Sequence, residues 1–166
     1  EVAGTRRRVE LVGTTDPYGD GDAGTLVTVP GKMTWRHKLR PCMDHVALAA
    51  AGRFQTGARH LILDRDGAHS ARHERWERED ARAYLTSLVG ELLSRGHDYV
   101  LHIDMSSASL DGKSTTPKAA GDDHPGSFGY GPMPPRDDLE APPPDELAAM
   151  ARRRLGPLKQ RLKEES

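Results

Sequence analysis

Apolar positions divide the chain into short runs of two kinds. Val9 and Leu11, and then Leu26, Val27 and Val29, suit two β-strands, and residues 16–24 between them are rich in Gly and Asp. This pattern predicts a β-hairpin over residues 7–32 with a long acidic tip. Thr34 opens the next segment, where Leu39, Met43, Val46 and Ala50 recur at helical spacing until Gly52 stops it. Pro41 leaves two readings of this helix: a start near Arg40 with Pro41 in the first turn, or a kink in a longer helix. Residues 60–64 (HLILD), bounded by Gly57 and Gly67, read as a buried strand.

A charged connection is expected over residues 68–78. A second helix follows, with Glu79 and Asp80 in its first turn, where they favour the positive end of the helix dipole. Ala81, Leu85, Leu88 and Leu92 form its apolar stripe, and Gly96 ends it. Residues 99–103 read as another strand. Residues 106–143 show no periodicity and hold most of the prolines, which predicts a long loop, disordered in part. Asp145 caps a last helix with Leu147, Ala151, Leu155, Leu158 and Leu162 on one face, and Gly156-Pro157 should kink it. The expected organisation is an α/β core over residues 1–105, a flexible Pro/Gly-rich loop over 106–143, and a C-terminal helix over 144–166 packed on the core.

Composition narrows the function classes. The chain has 166 residues, enough for one domain with a modest core. Apolar residues make up 36% and aromatics 5%, so part of the chain is expected to lie outside any core. A net charge of −1 gives no global nucleic-acid footprint and leaves only local patches for DNA. Cys42 is the single cysteine, which excludes an intrachain disulfide and a four-cysteine zinc site and suits a reducing, cytoplasmic setting. No apolar run approaches the roughly 18 residues of a membrane helix, and no signal peptide is visible. A start at Glu1 rather than Met is expected of a processed product or of the end of a longer protein.

Most candidate chemistry fails on spacing. Asp16, Asp20 and Asp22 crowd the hairpin tip, but Val27 stands where a calcium loop needs its closing Glu, so a solvated turn is the better reading. Asp64 and Asp66 fail likewise, with His73 in the closing position. His69 and His73, four apart, lack the adjacent Glu of a metalloprotease helix and sit among Arg72, Arg75 and Arg78. His45 reads as a polar contact on a helix face, and no metal site is expected. Arg6, Arg7 and Arg8, with Arg36, Lys38 and Arg40, are candidates for a DNA-contacting face if hairpin and first helix are adjacent. Trp35 and Trp76 sit among charges and suit either a core or a contact with a neighbouring domain.

A restriction-type, metal-dependent nuclease carries one acid on the first strand of such a hairpin and an acid-x-Lys triplet on the second. Here Glu10 can stand for the first acid and Lys32 for the lysine. The positions from Thr28 to Gly31 hold no second acid. Two acids and a lysine are needed to hold Mg²⁺, activate water and offset charge on the phosphate, so no cleavage is expected. The rival reading is an active Mg²⁺ nuclease using Glu10 or Asp16 with Asp64 and Lys32.

The segments TRRRVELVGTT, GTLVTVPGKMTWRHKLRPCMDHVALAAAG, HLILDRDG, ARAYLTSLVGELLSRGHDYVLHIDMSSASL and RRRLGPLKQRLKEES, in this order, resemble the C-terminal domain of the exodeoxyribonuclease V gamma subunit, the RecC family. Leu39, Cys42, Met43, His45 and Val46 hold the positions of the family's Leu-x-x-Trp-Leu-x-His-Leu helix, with Cys42 where Trp is common. Pro157 and Leu158 match its closing Pro-Leu pair. The resemblance covers roughly three quarters of the chain and rests on order and spacing. It departs over residues 111–143, where the family has a longer, part-helical stretch with aromatics.

The resemblance implies a restriction-endonuclease-like α/β domain that has lost its catalytic acids. Such a domain belongs to a subunit of a helicase–nuclease that processes double-strand breaks for recombinational repair. It would contact beta (RecB-like) and alpha (RecD-like) subunits and guide DNA strands. It would bind no cofactor itself, whereas the full complex would need ATP and Mg²⁺. An interaction module unrelated to DNA is the remaining alternative.

Overall fold

The most apolar strand of the chain takes an interior place in its sheet. A computed structural model of the protein describes residues 8–15, 24–53, 56–95, 103–112 and 144–165. Strand β1 (Gly24–Thr28) is followed by helix α1 (Trp35–Ala50), strands β2 (Ala58–Asp64) and β3 (Gly67–His73), and helix α2 (Arg78–Arg95). Helices α3 (Ile103–Leu110) and α4 (Pro144–Arg161) and strand β4 (Leu162–Glu165) complete the order. The result is a mixed α/β fold with a four-stranded sheet in the order β1-β2-β3-β4. β1 pairs in parallel with β2, β2 antiparallel with β3, and β3 antiparallel with β4.

β2 alternates as a half-buried strand should: Ala58, His60 and Ile62 are buried, while Arg59 and Leu63 face out. A two-residue turn at Arg65 and Asp66 joins it to β3 and sets the register Asp64↔Gly67. The Asp64 carboxylate accepts the Asp66 and Gly67 N–H groups, and Gly67 has φ 137°, a conformation that side chains disfavour. At the other edge of β2, a side chain at Gly24 would collide with the Arg59 carbonyl, so glycine permits the parallel approach of β1.

Thr34 caps α1, and His37 Nδ1 accepts the Thr34 N–H at 3.0 Å, the role that Glu plays in the usual capping box. The helix begins at Trp35 and continues past a buried Pro41, so the shorter alternative starting near Arg40 is not the one adopted. Cys42, Val46 and Ala49 of α1, Ala81 and Tyr84 of α2, Trp76 before α2, and Leu158 of α4 make the core cluster. Leu39, Met43, Ala50, Leu85, Leu88 and Leu162 pack around it. Trp76 stacks on Tyr84, and the Arg161 guanidinium lies 4.0 Å over its ring, so Trp76 belongs to the core. Leu92 is 51% exposed, and Tyr84 fills the α2 stripe in its stead.

The chain divides into two compact units: Glu1–Ser94 with Pro157–Ser166, and Arg95–Gly156. In the second, the expected spacing of α4 holds, with Leu147, Met150, Ala151 and Leu155 buried. Among the described residues no helix is long and apolar enough to cross a membrane.

Several expectations are corrected. Residues 8–15 form no strand, and Val9, Leu11 and Val12 are 49%, 59% and 86% exposed, so no hairpin joins them to β1. β1 pairs with β2, the more apolar partner. The charged connection over 68–78 is largely β3, whose polar sequence GAHSARH hides its alternation. Ile103 begins α3, which continues through Leu110 and so removes residues 106–110 from the expected loop. Residues 16–23, 99–102 and 113–143 lie outside the described residues. Leu162 leaves the helical face and starts β4.

Candidate functional site

The segment that carries the lysine of the rival nuclease reading runs beside its acid, Asp64. Beyond β1 the chain follows the end of β2 through Val29 N–H to Leu63 O (2.7 Å) and Arg65 N–H to Gly31 O (3.1 Å). This places Lys32 next to the Asp64 turn. The Asp64 carboxylate, however, is already spent. Its Oδ2 accepts the Met33 N–H at 2.8 Å, and its Oδ1 accepts the Asp66 N–H at 2.8 Å and the Gly67 N–H at 3.1 Å. His69 Nε2 completes the set at 3.0 Å from Oδ1. The side chain is 2% exposed. The Met33 N–H above all, with His69 and the Asp66 N–H, holds the carboxyl down at about 2, against the opposing cost of desolvation. Asp64 is thus a turn anchor that ties β2, β3 and the segment before α1 together.

The other expected positions are scattered. Glu10, Thr28 and Lys32 are exposed, and Thr28 ends β1. Arg8 and Arg40 are exposed and Lys38 is half-buried. Asp16, Arg6 and Arg7 lie outside the described residues, as does the side chain of Arg36. Arg8, Val9, Glu10 and Leu11 line one side of a groove of about 830 Å³, with Ala47, Ala50 and Ala51 and, from α2, Leu85, Val89 and Leu93 on the other. Thr15 Oγ1 donates to Asp44 Oδ2 at 3.1 Å and fixes the end of this segment to α1.

A second constellation lies inside the core. Cys42 and His45, one helical turn apart on α1, face His60 of β2 and His73 of β3, and all four side chains are buried. The register pairs Ala58 with His73 and His60 with Ala71, so the two histidines are diagonal neighbours on the inner face. The small alanines opposite them leave room for both rings, whose centroids are 6.1 Å apart. The donor atoms of Cys42, His60 and His73 all lie within 4.8 Å of one another, the one such convergence of His, Cys, Asp or Glu among the described residues.

The protonation pattern follows from the partners. The Thr56 carbonyl only accepts, so His45 Nε2, 3.1 Å away, carries hydrogen and donates to it. The neutral His45 then presents a bare Nδ1, and His73 Nδ1, 2.8 Å away, must donate. His73 Nε2 is left with a lone pair. His60 Nδ1 is 2.9 Å from Thr25 Oγ1. The Nε2 atoms of both His60 and His73 are buried without a hydrogen-bond partner. Trp76 Nε1 is the third such atom among the described residues, and each orphan of this kind costs about 1–3 kcal/mol.

Burial, reinforced by His45, lowers His60 to about 4. Burial, with the charges of His45, His60 and Arg161, lowers His73 to about 3. The Leu158 carbonyl near that ring opposes this shift without reaching hydrogen-bond geometry at Nε2. His45 is lowered by burial against its bond to Thr56, and burial raises the Cys42 thiol to about 12, partly countered by Lys38. The four groups are therefore neutral at pH 7.

From the sequence His45 is a polar contact on a helix face, His73 is spaced to share a helix face with His69, and His60 is one residue of a buried strand. His69 and His73 instead lie on one strand, and they serve different partners, Asp64 and the buried cluster. Cys42 and His45 at i, i+3 on an apolar helix face were the available signal. Comparison of the chain with protein-family models, curated proteins and solved structures finds no match.

Proposed function

We propose that this chain is a non-catalytic domain of a RecC-like subunit in a cytoplasmic helicase–nuclease that repairs double-strand breaks. In this reading it has a restriction-endonuclease-like ancestry, contacts beta- and alpha-type subunits, and helps guide DNA strands. The ordered series of matching segments supports the family, and the mixed four-stranded sheet is compatible with the ancestry at the level of fold class.

One observation carries the non-catalytic part. Asp64, the acid of the turn beside Lys32, has its oxygens engaged by three backbone N–H groups and an imidazole, in a side chain 2% exposed. A Mg²⁺ ion needs open carboxylate oxygens and water around it. Exposed Arg8 and Arg40 offer phosphate contacts instead. Fluorescence anisotropy with labelled DNA, alone and with purified beta-type subunit, tests the reading. Salt-dependent binding that weakens in Arg8→Ala and Arg40→Ala is expected. No binding in either setting would favour the second reading, an interaction module unrelated to DNA, for which the groove between residues 8–11 and α2 is the supporting feature.

A further inference from the structure

We propose that Cys42, His60 and His73 form a buried binding site for one zinc-class divalent ion, which staples α1 to β2 and β3. The site lies apart from the Asp64–Lys32 region and does not depend on the DNA reading.

Three independent features converge on it. The donor set is one sulfur and two imidazole nitrogens, a combination that selects zinc or similar borderline metals over Mg²⁺ or Ca²⁺. His60 and His73 each keep one buried nitrogen, Nε2, that makes no hydrogen bond. The opposite nitrogen of each ring is held from behind, His60 Nδ1 by Thr25 Oγ1 and His73 Nδ1 by His45. That outer layer is the arrangement that orients metal-binding histidines and sets which nitrogen is bare. The chain of bonds from the Thr56 carbonyl through His45 leaves the lone pair of His73 on Nε2.

Tetrahedral zinc with one sulfur and two nitrogen ligands needs donor separations of about 3.3–3.6 Å. The observed limit of 4.8 Å closes to that with about an ångström of side-chain movement. Two neutral imidazoles contribute lone pairs without losing a proton, and the Cys42 thiol gives up one proton to solvent as its sulfur binds. One proton is therefore released per ion. Full burial of all three ligands points to a structural role, in which binding adds to folding stability.

Cobalt(II) titration of the full chain, stripped with a chelator, is the test. Because Cys42 is the only cysteine, any thiolate-to-cobalt charge-transfer band reports this site alone, whatever the other histidines bind. The expected result is saturation at one Co²⁺ per chain, with the thiolate-to-cobalt band growing to that point and displacement of the cobalt by Zn²⁺. Cys42→Ser should abolish the charge-transfer band, and His60→Asn and His73→Asn should each weaken binding by more than about tenfold. Absence of that band in the wild-type chain overturns the proposal, and so does its persistence in Cys42→Ser. The wild-type spectrum decides alone if a variant does not fold.

Discussion

His45 and His73 share a single hydrogen between Nδ1 atoms 2.8 Å apart, in a part of the core where neither ring meets water. Removing one member strands the other. His45→Leu should destabilise the fold by about 1–3 kcal/mol, because His73 Nδ1–H loses its acceptor. His45→Leu with His73→Leu should cost less than the sum of the single changes by about 1 kcal/mol. Urea denaturation of the four proteins checks this, and strict additivity would show that the two rings do not interact.

Acid should unfold the metal-free protein early. His60 and His73 stay neutral in the fold down to about 4 and about 3, whereas the unfolded chain takes up their protons near 6.5. Below about pH 6.5 the unfolded state thus binds more protons, and stability falls as pH falls until the folded values are passed. The urea midpoint of chelator-treated protein should drop steadily from about pH 7 to about pH 4. A midpoint that is flat or rises over this range would place these rings in water.

Asp64 acts in a lower window. Its folded value of about 2 lies below the usual carboxylate range, so its contribution is complete above about pH 4 and is lost as pH falls towards 2. Asp64→Asn should lower the melting temperature at neutral pH and remove that part of the acid loss. Gly67→Ala, at φ 137°, should cost about 1 kcal/mol or more through the same turn. Thermal melts at several pH values separate the two.

Core packing gives a plain contrast. Leu158 is fully buried against α1, Trp76 and α2, and Leu158→Ala should cost about 2–5 kcal/mol. Leu92 has the same side chain half in water, and Leu92→Ala should change stability by about 0.5 kcal/mol or less. Equal losses in guanidinium melts would mean that α2 is rotated from the face described.

The elements visible in the sequence were those with local signals: β2 in its apolar run, α1 between Thr34 and Gly52, α2 behind Glu79 and Asp80, and most of α4. Long-range pairing was not visible. β3 presents His, Ser and Arg to solvent or to polar partners, so no apolar alternation marks it. Leu162 continues the spacing of Leu155 and Leu158 and reads as helix until β3 offers it an edge. Strand-like Val9 and Leu11 do not join the sheet, although β1 stands at its edge and pairs on one side only. The Cys42–His60–His73 cluster was hidden for the same reason: two ligands meet only across a hairpin whose second strand looked like a connection.

The most direct measurement is a cleavage assay of the purified chain on linear double-stranded and single-stranded DNA with Mg²⁺ and with Mn²⁺. An Asp64 carboxylate enclosed by its own turn predicts no product above the buffer control with either ion. Metal-dependent cleavage that disappears in Lys32→Ala would contradict it and restore Asp64 and Lys32 as an active nuclease centre.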